Sequence, residues 1–240
     1  MLVTEKFVFV HLPRSGGTFV SQVVQKFFPS REIGYHLPLR VLPAEFSHLP
    51  VLGTVRNPWE FYVSWYHHQL SNDRRGPLIS FLTENRRLDF VETIRNALNL
   101  CLDEKLDVLA DRLPEDFNYK DRHVSNLTRD VMRRIRGTGM GLYSFRFNEM
   151  FGPGDDVCFC RVDSLRNEII AFFDKLGVAT DELCSYVLEL DKKNTSEHRH
   201  YSSYYTPELA QLVAVWDRQV IDRFQFRFED RASRKDTLYP

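Results

Sequence analysis

One pattern, used twice, limits the fold more than anything else in the chain. A short apolar run, "KFVFVH" at 6–11, is followed by a polar, glycine-containing turn and then by "GTFVSQVVQKFF" at 17–28. In that last stretch Phe19, Val20, Val23, Val24, Phe27 and Phe28 recur at helical spacing and make one broad apolar face. Pro29 ends it. A second apolar run, "PVLGTV" at 50–55, leads to Asn57 and Pro58, which suit the N-cap and first position of a helix running to about Leu70. Strand–turn–helix repeated in this order argues for a parallel α/β sheet.

The remainder extends the scheme. Residues 71–77 ("SNDRRGP") read as a surface loop, and 78–136 as helices of an insertion lying over the sheet. "DVCFCRV" at 156–162 is a late strand. The helix after it has Asp163 or Ser164 as N-cap and Gly177 just past its end. A helix follows at about 180–189, then a polar loop at 191–203, then a last helix from Thr206-Pro207 to about Phe224. The charged segment 229–240 reads as a loose tail. The expected fold is one domain over 240 residues: three-layer α/β, with a P-loop-like central parallel sheet flanked by helices and an insertion at about 71–156.

With 43% hydrophobic and 27% charged residues the composition is that of a globular protein, and no run is long enough to be a transmembrane segment. A net charge of −1 gives no general case for nucleic acid as a partner. Cys101, Cys158, Cys160 and Cys184 lack metal or redox spacing and read as buried free thiols. With no secretory leader visible, the expected location is cytoplasmic.

The first turn, "HLPRSGGT" at 11–18, has the chemistry of an anion cradle. Gly16 and Gly17 allow a sharp bend and close approach. The first N–H groups of the following helix favour negative charge. Ser15 and Thr18 add hydroxyls and Arg14 a fixed cation. Taken alone, such a turn serves as well to join a strand to a helix with nothing bound. The second unit adds Arg56 at the end of a strand, where open α/β sheets take ligands, and Ser64 two turns into the next helix. Two anion sites on neighbouring strands argue for a ligand with two separated phosphates.

In this order, "PRSGGTF" at 13–19 and "RNPWEFYVSWY" at 56–66 resemble the two cofactor signatures of the sulfotransferases that use 3′-phosphoadenosine 5′-phosphosulfate (PAPS) as co-substrate. "CFCRVDSLRNEIIAFFDKLGV" resembles the late strand–helix of that family, and "NTSEHRHYSSYYTPELAQLV" the polar loop and final helix of its carbohydrate-type members. The resemblance spans roughly 6–70 and 157–226 and leaves about 71–156 uncovered. It implies that Arg14, Ser15, Gly16, Gly17 and Thr18, with Phe19 closing the signature, hold the 5′-phosphosulfate. Arg56 and Ser64 would hold the 3′-phosphate, and Ser196, Arg199 and Tyr201 would close over the nucleotide. It also implies a hydroxyl-bearing glycan, lipid or small-molecule acceptor and no metal. Many members carry Lys where this chain has Arg14, and an Arg fork follows a moving group less freely than a Lys point charge.

Transfer of a sulfuryl group is an in-line displacement that depends on positioning and charge, with Arg14 stabilising the leaving group. The acceptor hydroxyl also needs a base. His36, in "GYHLPLRVLPAEF" before the second strand, fits best: uronosyl-type heparan sulfotransferases have a similar His-containing stretch. His11, His48, His67, His68, His198 and His200 are weaker candidates, and Glu60 is better explained by the helix dipole. "EHRH" at 197–200 lacks the further ligands a metal needs. The basic cluster Arg129, Arg133, Arg134 and Arg136 could attract an acidic acceptor, but a solvated helix face explains it more simply. The alternatives are a P-loop-type nucleotide kinase, against which stands the missing Lys-Ser/Thr after the glycines, and a non-catalytic nucleotide-binding module.

Overall fold

The first strand of the sheet, β1 (Leu2–Thr4), turns back as β2 (Val8–Val10), and the turn between them is closed by Thr4, whose hydroxyl donates to the Phe7 carbonyl and accepts from the Phe7 N–H, both at 2.9 Å. The structure is a computed structural model and describes residues 1–71, 76–121, 125–191 and 199–229. Helix α1 (Gly17–Phe27) follows β2, then the short strand β3 (Ser30–Glu32) and β4 (Val51–Val55). The helices α2 (Pro58–Ser71), α3 (Pro77–Leu82), α4 (Phe90–Leu98), α5 (Leu106–Ala110), α6 (Arg129–Arg133) and α7 (Leu142–Phe151) precede β5 (Val157–Arg161). The chain continues through α8 (Leu165–Lys175), α9 (Asp181–Glu189), α10 (Pro207–Trp216) and α11 (Arg218–Phe224).

The fold is α/β, with a five-stranded sheet in the order β3-β1-β2-β4-β5 flanked by helices. Its centre is parallel, as the repeated strand–turn–helix pattern requires: β4 runs parallel to both β2 and β5. The sheet as a whole is mixed rather than parallel, because β1 pairs antiparallel with β2 and β3. Neither extra strand carries a strong sequence signal. β1 is three residues long, and β3 ("SRE") is polar and half exposed at the sheet edge.

The chain divides into two compact units. One comprises Met1–Arg56, Phe117–Leu127 and Phe147–Thr195; the other comprises Asn57–Asp116, Thr128–Arg146 and Ser196–Pro240. The first holds the sheet. Its core packs Phe7, Phe9, Leu52 and Cys160 of the sheet side against Val20, Val23 and Val24 of α1, Ile169 and Phe173 of α8, and Leu183 and Val187 of α9. Every residue of β4 is buried, the expected consequence of lying between two strands and under side chains on both faces. Gly53 is there because a Cβ would fall 2.9 Å from Cε1 of both Phe151 and Phe159. Within the stretch 71–156, Phe117–Leu127 and the residues from Phe147 onward are grouped with the sheet unit.

The second unit is helical. Asp89 and Glu92 form a capping box at the start of α4. The last helix is broken where it was expected to be continuous. Asp217, fully buried, separates α10 from α11, and its carboxylate accepts from the Ser144 N–H and the Tyr62 hydroxyl, both at 2.7 Å. The Tyr62 hydroxyl accepts in turn from the Tyr143 N–H at 3.2 Å. Two N–H groups of the first turn of α7 are thus satisfied by distant side chains. Helix α7 itself escapes pattern reading, since it is buried almost all round and the buried positions include the polar Ser144 and Arg146. Two thiols depart from expectation: Cys158 is exposed on the edge strand β5, and Cys184 is half-buried. Among the described residues no helix is long and apolar enough to cross a membrane.

Candidate functional site

Between β2 and α1 the chain turns through two left-handed residues, Arg14 (φ 61) and Gly16 (φ 79), on either side of Ser15. Glycine takes that conformation freely and arginine only against a steric cost, so the turn is held by its surroundings. Arg56, just past β4, holds it: Nη1 donates to the Arg14 carbonyl at 3.1 Å. Helix α1 has no side-chain cap at Gly16 and no acidic residue in its first turn. The Phe19 N–H turns onto the Gly16 carbonyl at 3.1 Å, but neither a side-chain cap nor a first-turn carboxylate competes with an anion at this helix start.

Two further features give this turn a ligand's character. Ser15 is fully buried, and its hydroxyl has no hydrogen-bond partner among the described residues. The Arg14 and Arg56 side chains lie close enough to oppose each other: the Arg14 guanidinium is pushed down to about 10, by burial first and by the Arg56 charge second. Two cations gathered around a buried hydroxyl and a helix start form a place that negative charge would relax.

His11 sits against the same helix start. A Cβ on Gly17 would fall 1.8 Å from His11 Cδ2 and 2.1 Å from Nε2, so only glycine leaves room for the ring. The ring is buried, and it meets those of Tyr35 and His36 edge-on at 4.6 Å each. Burial, followed by the charges of His36, the Met1 amino group and Arg14, holds its pKa well below the usual imidazole value, so His11 is neutral at pH 7. His36 is half-buried, left-handed at φ 52, and 4.4 Å from the Tyr35 ring. The structure thus brings Arg14, Ser15, Gly16, Gly17, Arg56 and His36 into one neighbourhood of the sheet unit, with Thr18 half-buried in the first turn of α1.

The other expected residues lie differently. Phe19 is a core residue, with its ring under the Arg166 guanidinium at 5.8 Å. Ser64 is buried on α2 in the second unit. Tyr201, also in that unit, is buried, and its hydroxyl accepts from the Glu229 N–H at 2.6 Å. Arg199 is exposed, and its N–H donates to the Tyr204 hydroxyl at 3.2 Å. Ser196, His198 and the 229–240 tail beyond Glu229 lie outside the described residues, as does most of the 71–77 loop. Among the described residues no group of three or more His, Cys, Asp or Glu could hold a metal.

The basic cluster is neutralised by its neighbours. Arg129 meets Glu115 at 2.9 Å, Arg133 meets Asp111 at 2.8 Å, and Arg136 meets Asp107 at 2.8 Å, forming a ladder along α5 and α6. Residue types alone did not reveal Tyr35, the neutral His11, or Asn126, which holds the His36 loop from far along the chain. Asn126 donates from Nδ2 to the Tyr35 carbonyl at 2.5 Å across a separation of 91 residues, and a lone loop asparagine gives no signal of that.

No protein-family model matches the chain, and no curated protein or solved structure matches it.

Proposed function

We propose that the chain is a PAPS-dependent sulfotransferase acting on a hydroxyl of a carbohydrate, lipid or small molecule. The observation that carries this reading is the turn between β2 and α1, where Arg14 and Arg56 converge beside a buried hydroxyl and an uncapped helix start. The residues fit the donor: Ser15 offers a buried hydroxyl with no hydrogen-bond partner among the described residues, and Gly16 takes the left-handed turn (φ 79) that brings the start of α1 round to it. The donor supplies the sulfuryl group.

Arg14 and the first N–H groups of α1 then stabilise the charge that builds on the bridging oxygen as its bond to sulfur breaks. Arg56 anchors the second phosphate and keeps the Arg14 carbonyl in place. His36 accepts the acceptor's hydroxyl proton as the new oxygen–sulfur bond forms, and adenosine 3′,5′-bisphosphate leaves. Preorganised positive charge with little solvent is enough for such a displacement.

The test is transfer of labelled sulfate from PAPS to a panel of hydroxyl acceptors. His36→Asn suits the left-handed backbone, whereas alanine there would add strain. It should lower turnover by about 10²–10⁴-fold while the bisphosphate still binds. Phosphoryl transfer from ATP, or binding of the bisphosphate with no transfer to any acceptor, would point instead to the kinase or the non-catalytic module.

A further inference from the structure

Resting on that reading, we infer that Asn126 is a positioning residue for His36. Asn126 is 8% exposed and is itself left-handed at φ 48. Its side-chain amide is fully engaged: Oδ1 accepts from the Asn118 N–H at 2.7 Å, and Nδ2 donates to the carbonyls of Asn118 at 3.0 Å and Tyr35 at 2.5 Å.

The Tyr35 carbonyl belongs to the peptide group that leads into His36. Because a peptide is planar, fixing that oxygen fixes the plane from which His36 takes its φ of 52. Histidine adopts this conformation only where the surroundings hold it. Two other contacts close the loop. At Gly34 a Cβ would fall 3.2 Å from both Cα and the carbonyl oxygen of Tyr119, so the 117–121 backbone runs directly against the loop. On another side the His11 ring stands 4.6 Å from that of His36. The segment 117–127, which the sequence presents as part of an insertion, is thereby tied to the loop that carries the base.

Asn126→Gly separates this role from a merely structural one. Glycine accepts the left-handed backbone freely, so the substitution deletes the three hydrogen bonds without adding strain. In the full chain we expect the His36 imidazole ¹⁵N shifts to move and its proton contacts with the Tyr35 and His11 rings to weaken. Adenosine 3′,5′-bisphosphate should bind within about twofold of the wild-type affinity, since its proposed clamps stand on the β2–α1 turn and at the end of β4, where Arg56 Nη1 holds the Arg14 carbonyl. Where transfer is measured, kcat should fall on the order of 10²-fold with KM for PAPS unchanged.

Unchanged His36 shifts and ring contacts in Asn126→Gly would overturn the inference. So would a loss of bisphosphate affinity parallel to a loss of thermal stability, the signature of general loosening. If the wild-type protein transfers sulfate to no acceptor, the sulfotransferase reading fails, and the NMR comparison still decides the role of Asn126.

Discussion

Replacing Gly17 by alanine tests the packing that shapes the cradle. The new Cβ would lie 1.8 Å from His11 Cδ2, 2.1 Å from Nε2 and 2.4 Å from Cγ. Carbon atoms rest at about 3.5–4.0 Å, so the ring would have to retreat by roughly 1.5 Å or more. It has nowhere to go, being buried and faced by Tyr35 and His36 at 4.6 Å. Overfilling a packed site costs about 1–3 kcal/mol, against which the better helix propensity of alanine returns at most about 1. At about 2–4 °C per kcal/mol for a chain of this size, the unfolding midpoint should fall by several degrees, read by scanning calorimetry. His11→Ala in the same chain empties the space, so the double variant should be more stable than the sum of the two single losses, by about 1–2 kcal/mol. Gly76→Ala, where a Cβ meets nothing within 4 Å, is the control. A Gly17→Ala protein that melts with the wild type, or a double variant whose losses simply add, would refute the placement of His11 against the helix start.

Asp217 makes a second test, by pH. Burial raises its carboxyl from 3.8 to about 6, against the lowering effect of its bonds to Ser144 and Tyr62. A raised value means that the fold prefers the neutral acid, so its contribution is full below about pH 4 and is lost as pH rises through about 6. The loss is at most ~3 kcal/mol at 1.36 kcal/mol per unit. Asp217→Asn should remove that component, seen as a flatter difference curve between pH 4 and 7; identical curves would show that Asp217 does not titrate there. Arg133→Ala should cost less than about 1 kcal/mol, because Arg133 and Asp111 are 45% and 61% exposed, and it should leave sulfate transfer untouched. A drop in transfer would return the basic cluster to the acceptor site.

Three strand–turn–helix passages were legible because each announces itself locally: β2 to α1 through the glycine turn, β4 to α2 through Asn57-Pro58, and β5 to α8 ending at Gly177 (φ 66). The same local chemistry marked Arg14, Ser15 and Arg56. What stayed hidden depends on distant partners. Strand β3 is polar and exists only because it pairs with β1, and the break at Asp217 exists because its carboxylate accepts from the Ser144 N–H of α7 and the Tyr62 hydroxyl. The neutral state of His11 follows from burial that its sequence neighbours do not disclose. Asn126 reaches Tyr35 only once the fold has joined them.

The most direct test of the central claim is calorimetric titration of the full chain with adenosine 3′,5′-bisphosphate in the presence of a chelator, set beside ATP with Mg²⁺ and repeated on Arg56→Ala. A metal-free cradle built on Arg14 and Arg56 predicts that the bisphosphate binds at least about tenfold more tightly than Mg-ATP, a difference of about 1.4 kcal/mol, and that Arg56→Ala erases the preference. Tighter binding of Mg-ATP, or bisphosphate affinity indifferent to Arg56, would contradict it.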